Sequence, residues 1–113
     1  MKTVTLSVST EKAVRDRLSR AFQGEKQSEL ITFASVDLLW KVLGTKRREI
    51  LQAMVGQGEL TFREVARLVD RDVKAVHGDV TALVDAGVVE RTNHGVVFPY
   101  DVVHVDFTME KAA

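Results

Sequence analysis

The stretch that decides the fold is Thr45–Tyr100, TKRREILQAMVGQGELTFREVARLVDRDVKAVHGDVTALVDAGVVERTNHGVVFPY. At its centre Thr61 stands three residues before Glu64. The Thr61 hydroxyl can accept from the Glu64 backbone N–H while the Glu64 carboxylate accepts from the N–H of Thr61, a capping box, with Leu60 and Val65 flanking it as a hydrophobic staple. Val65, Ala66, Leu68 and Val69 then recur at helical spacing, so a short helix is expected over 62–69. Asp70-Arg71-Asp72 breaks it, and Asp72 can cap a second helix. On that helix Val73, Val76, Val80, Leu83 and Val84 share one side, and Gly87 ends it where a left-handed backbone costs glycine little.

Past Gly87 the apolar period falls from 3.6 to about 2. Val88–Thr92 and Val96–Tyr100 read as two strands joined by Asn93-His94-Gly95, residues expected to accept the positive φ of a tight hairpin. Pro99 donates no N–H and marks the end or edge of the second strand. Upstream, Gly44 closes one helix and Thr45 starts another, Lys46–Val55, with Ile50, Leu51, Met54 and Val55 inward. Gly56-Gln57-Gly58 lacks the residues of a phosphate loop and reads as a helix-ending turn. Three helices in tandem and then a hairpin is the order of a winged helix-turn-helix, whose second paired helix enters the DNA major groove.

Working outward, Val4, Leu6 and Val8 alternate with polar residues in a half-buried strand over 3–8. Ser9 or Thr10 caps a helix with an apolar stripe of Val14, Leu18, Ala21 and Phe22, ended by Gly24. Glu25–Glu29 reads as a loop and Leu30–Ala34 as an extended or irregular link. Ser35 caps Val36–Leu43, a helix apolar nearly all round and therefore expected to be buried on more than one side. Val103, Val105 and Phe107 alternate in a C-terminal strand. Two terminal strands each need a backbone partner, and the simplest solution pairs them with each other, within one chain or across a dimer. The expected fold class is α+β, mainly helical: an N-terminal strand–helix extension over 1–34 for dimerisation or partner capture, a winged helix over 35–107 with a C-terminal strand, and a tail over 108–113.

The chain has 113 residues, 45% of them apolar, enough for one compact domain. No apolar run reaches the length of a membrane helix or resembles a signal peptide, so a cytoplasmic location is expected. Without cysteine there is no disulfide framework, thiolate metal site or cysteine nucleophile. His77, His94 and His104 have no ligand-like spacing, and Asp101 and His104 have no nucleophile beside them in sequence. Neither catalysis, a metal nor a cofactor is expected. Sixteen basic and sixteen acidic residues cancel, unlike the strongly basic balance common in nucleic-acid domains. The charges are unevenly spread, however: Lys41, Lys46, Arg47 and Arg48 form one cluster, and Arg63, Arg67 and Arg71 recur every four residues. Such a bipolar chain can bind DNA with one face, although ordinary solvated charges also account for scattered Lys and Arg.

The side of the second helix opposite its core is Lys74, Ala75, Gly78, Thr81 and Ala82, with His77 at one flank. Glycine inside a helix costs about 1 kcal/mol relative to alanine. Close approach to a DNA groove or close packing on another protein helix would each justify Gly78, and Lys74 and Thr81 beside it favour DNA. Lys74 is a candidate for guanine or phosphate, and Thr81 for phosphate or a thymine methyl. His77 can donate to phosphate or cap Asp79 or a helix end. Lys46, Arg47, Arg63, Arg67 and Arg71 are candidate phosphate contacts, and Arg91, Asn93 and His94 candidate minor-groove or rim contacts at the hairpin tip. Asp72 is a cap rather than a base reader.

The run RDVKAVHGDVTALVDAGVVERTNHGVVFPYDVVHVDF at residues 71–107, with SVDLLWKVL and KRREIL upstream, resembles a prokaryotic family of predicted transcriptional regulators with an ArsR/MarR-like winged helix. The likeness covers nearly the whole chain. It is specific in Arg71-Asp72-x-Lys74-x-x-His77-x-Asp79-Val80 and in Phe98-Pro99-Tyr100-Asp101. The resemblance implies DNA binding. The order of elements makes the expected function that of a double-stranded DNA-binding regulator, a repressor, with helix 73–85 in the major groove and hairpin 88–100 as the wing. The two terminal strands with the apolar helix at 36–43 lead to an expected homodimer. The resemblance also implies, for some relatives, gene neighbourhoods suggestive of toxin–antitoxin modules. The acidic C-terminal segment and neutral total charge favour the alternative of an antitoxin-like module that holds a toxin-like partner protein, with DNA binding secondary.

Overall fold

The computed structural model describes residues 1–9, 11–24 and 29–108. Thr10 as a cap, the loop over 25–28 and the tail over 109–113 lie outside the described residues. Among the described residues five helices and five strands form an α+β arrangement. In chain order they are β1 (Thr3–Val8), α1 (Glu11–Phe22), β2 (Glu29–Phe33), α2 (Val36–Val42), α3 (Thr45–Met54), α4 (Phe62–Val69), α5 (Val73–Asp85), β3 (Glu90–Arg91), β4 (Val96–Val97) and β5 (Val102–Asp106). Among the described residues no helix is long and apolar enough to cross a membrane.

The terminal strands do pair, within one chain and in parallel: Val4 aligns with Val103 and Leu6 with Val105. The link over 30–34 is a strand rather than an irregular connection. β2 lies parallel to β1 on its other side, Leu6 beside Ile31 and Val8 beside Phe33, giving the order β2-β1-β5. Parallel neighbours need a crossover, which α1 supplies, and a central parallel strand is covered on both faces. Hence β1 is not half-buried: Thr5 and Ser7, 6% and 5% exposed, are as enclosed as Val4 and Leu6. Ser9 extends the ladder by donating its N–H to the Phe33 carbonyl at 2.8 Å. At the strand's other end the Lys2 N–H donates to Asp101 Oδ2 at 2.9 Å, and the Lys2 ammonium lies over the Tyr100 ring. Burial and the Glu29 carboxylate, which accepts the Tyr100 hydroxyl, push that phenol up to about 12.

Helix α2 is capped as expected, Ser35 Oγ accepting from the Leu38 N–H at 3.1 Å. It is buried along one side only. Leu39 and Leu43 are enclosed, but Leu38 and Trp40 are 41% and 50% exposed, because a seven-residue helix on the sheet meets just one layer. The stripe on α1 is likewise open, with Val14, Leu18 and Phe22 exposed. α3 begins one residue earlier than expected: Thr45 is already helical and Gly44 is the cap, without a side-chain bond.

The segment α3–α5 packs around Ile50, Met54, Val65, Val76, Val80 and Leu83, which belong to one buried cluster with Val4, Leu6 and Val8 of β1. Both halves of the Thr61–Glu64 capping box form, at 3.1 and 3.0 Å, and Leu60 and Val65 are buried as a staple. α4 spans the expected residues, with Leu68 turned to solvent. Asp70 closes it in the left-handed region at φ 53°, and Asp72 Oδ2 accepts from the N–H groups of Lys74 and Ala75. Gly87, φ 79°, ends α5, whose first residue Val73 is exposed rather than inward.

The hairpin is shorter than the alternation predicts. The Val88 and Val89 N–H groups are consumed by the Leu83 carbonyl at the end of α5, and regular pairing is confined to Glu90 with Val97 and Arg91 with Val96. Beyond β4 the chain turns at Pro99, the Tyr100 N–H donating to the Phe98 carbonyl. Leu60 adds a third antiparallel partner, exchanging both backbone bonds with Val96 at 2.8 Å. The tip, too, differs from expectation: neither Asn93 nor Gly95 has positive φ. The Thr92 hydroxyl instead accepts from the Gly95 N–H at 3.0 Å, while the Thr92 N–H donates to the Gly95 carbonyl. Gly95 is needed for space, since a Cβ there would collide with the Leu60 carbonyl oxygen.

Candidate nucleic-acid interface

Helix α5 buries Val76, Val80 and Leu83 and turns Lys74, Ala75, His77 and Gly78 to solvent. A Cβ built on Gly78 meets no heavy atom within 4 Å, so its face is open and no neighbouring helix of this chain accounts for the glycine. Thr81 and Ala82 are set further in. The Thr81 hydroxyl is buried and has no hydrogen-bond partner among the described residues, which sets it apart from the exposed strip.

Beside the start of α5 runs an open groove whose lining includes Arg63, Arg67 and Arg71 from α4 and the turn, together with Asp70, Asp72 and Val73. The four-residue spacing of the arginines sets them along this edge. Arg63 and Arg67 are exposed, but Arg71 is 18% exposed and donates from Nη2 to Asp79 Oδ2 at 2.9 Å. Arg47 of α3 reaches the other Asp79 oxygen at 3.2 Å and donates to the Lys41 carbonyl as well. Burial pushes the Asp79 carboxyl up, and the hydrogen bonds and charges of Arg71 and Arg47 more than offset this, holding it below its ordinary value. Arg47 and Arg71 thus tie α3 and the α4–α5 turn to the outward helix, whereas Lys46, Arg63, Arg67 and Lys74 are exposed cations. His77 does not cap Asp79.

His77 instead stacks on Phe62, ring centroids 4.6 Å apart, and the Arg91 guanidinium lies 6.0 Å from the same ring. Phe62 therefore joins α4, α5 and β3, bringing Arg91 alongside His77. Asn93 and His94 are exposed at the hairpin tip. The sequence reading missed both Phe62 and Asp79. An aromatic at the first helical position after a cap carries no pattern of its own, and the 32-residue separation of Arg47 from Asp79 hides their pairing. Among the described residues no cluster of three or more His, Asp or Glu has metal-binding geometry.

No curated protein and no solved structure matches the chain. The family model described as HVO_A0114 matches residues 42–105, more than half of the chain, from the end of α2 into β5. That stretch contains the exposed strip of α5, the arginine groove and the hairpin, and by this match the chain belongs to the HVO_A0114 family.

Proposed function

We propose that the protein is a sequence-specific double-stranded DNA-binding regulator, in which α3–α5 and the β3–β4 hairpin act as a winged helix-turn-helix of the ArsR/MarR-like kind. The observation that carries this reading is the open face of α5 at Gly78, flanked by Lys74 and bordered by the exposed Arg63 and Arg67. A helix with a small, unobstructed face can enter a major groove about 12 Å wide, while cations beside it neutralise phosphates. Zero net charge is compatible with this, since the field of one face and not the sum steers DNA.

The test is binding to duplex DNA from the protein's own locus, followed by fluorescence anisotropy across salt concentrations. Affinity should fall with log–log slope of about −0.9 per phosphate neutralised. Gly78→Glu adds bulk and negative charge at the open face and should abolish binding with melting unchanged. A folded Gly78→Glu protein that binds as well as the parent would end the reading-helix assignment. The second reading, an antitoxin-like module that holds another protein, is favoured by the exposed Leu18, Phe22, Leu38 and Trp40. Salt-insensitive or absent DNA binding would favour it.

A further inference from the structure

Among the described residues strand β5 has a backbone partner on one side only, as the sheet order β2-β1-β5 makes it an edge. The Val102 N–H donates to the Lys2 carbonyl at 3.2 Å, toward β1. Strand alternation therefore turns the backbone groups of His104 and Asp106 toward β1 and those of Val103, Val105 and Phe107 to the open side. The side chains at this edge are also open: Val105 is 43% exposed, and His104 and Asp106 are exposed. Trp40, half exposed, stands edge-on to Phe107 at 5.1 Å.

We propose that this edge docks a second copy of the chain, β5 against β5 in antiparallel pairing about a two-fold axis through Val105. The occupant is argued from self-complementarity. With the axis at Val105, His104 of each copy faces Asp106 of the other, so an imidazole N–H meets a carboxylate twice. On the opposite face Val105 meets its own counterpart and Val103 meets Phe107, extending the apolar contact that Trp40 makes with Phe107. Val103, Val105 and Phe107 are the residues whose N–H and C=O groups point outward, so the backbone bonds form between the aligned Val105 residues and between Val103 and Phe107. Moving the axis to His104 preserves backbone pairing but sets His104 against itself and Asp106 against Val102, losing both complementary pairs. Residue for residue the interface is isologous, as a closed dimer requires, and it covers an edge that would otherwise template open-ended pairing. The dimer surface is thus the C-terminal strand rather than an element of residues 1–34.

Sedimentation equilibrium of the full chain, without DNA, tests this independently of the proposed function. The parent should sediment at twice 12.6 kDa. His104→Asp sets acid against acid at both pairs and should raise the dimer dissociation constant ~10-fold or more. The swap His104→Asp with Asp106→His re-creates both pairs and should restore the parent value, which an axis at His104 would not allow. Val105→Pro deletes an outward N–H without touching the β1 ladder and should give a folded monomer. A monomeric parent overturns the proposal, as do a His104→Asp protein that dimerises like the parent and a swap that fails to restore association. If Val105→Pro does not fold, the two charge variants decide.

Discussion

Phe98 and Phe22 are the same residue type in two regions built on different principles. Phe98 follows β4 and is 1% exposed within the core shared by α3–α5 and the hairpin, whereas Phe22 ends α1 and is 89% exposed. The first region shares one buried cluster with β1 but is fixed by local devices: the capping box at Thr61, the cap at Asp72 and the glycine at 87. The second is fixed by backbone pairing of distant strands, and its crossover helix leaves Val14, Leu18 and Phe22 in water. A packed platform for α5 thus coexists with a crossover helix and strand edges that leave apolar side chains exposed. Phe98→Ala should break the first region, lowering unfolding free energy by ~3–5 kcal/mol in urea melts. A loss under about 1 kcal/mol would mean that the core relaxes around the cavity and the contrast is smaller than burial implies.

The same contrast governs what could be read in advance. Thr61 and Glu64, Asp72, Ser35 and Gly87 act within four residues of themselves, and the structure uses each as its local chemistry predicts. β2 was hidden because Leu30, apolar yet 40% exposed, stands where the alternation of the inward Ile31 and Phe33 calls for a polar residue, so this edge strand shows no clean period of two. The tip at Asn93 misled for the converse reason: its composition fits a positive-φ turn, yet the Thr92 hydroxyl and the tight approach of Gly95 to Leu60 choose another. At the candidate site, the exposure of Lys74 and Gly78 follows from the helical period. The capture of Arg47 and Arg71 by Asp79 depends on how α3 meets α5, which no spacing encodes.

That ion-pair lock sharpens the comparison at the next magnitude. Asp79→Asn leaves two partly buried guanidinium groups without their anion and should cost ~1–3 kcal/mol at pH 7. Because the folded carboxyl sits below its ordinary value, its contribution is present above the unfolded value and is lost as pH falls through the folded one. The gap between parent and variant should therefore shrink in urea melts below about pH 4. A gap of the same size at pH 3 would show that the side chain acts through packing rather than charge.

The smallest effect is expected at Phe22, and its smallness is the informative result. Phe22→Ala removes an aromatic side chain from solvent, so in the single chain stability should change by no more than about 0.5 kcal/mol. The measurement belongs in both the parent and the Val105→Pro background, since in the proposed dimer the first would associate through β5 and the second would not. Indifference in both means that α1 is an open surface whatever the state of the β5 edge. A loss above about 1 kcal/mol in the parent alone would mean that association also covers α1, extending the contact beyond the strand. A loss of that size in both would place Phe22 against its own chain, contradicting its 89% exposure and the division between a packed helical platform and an open crossover helix.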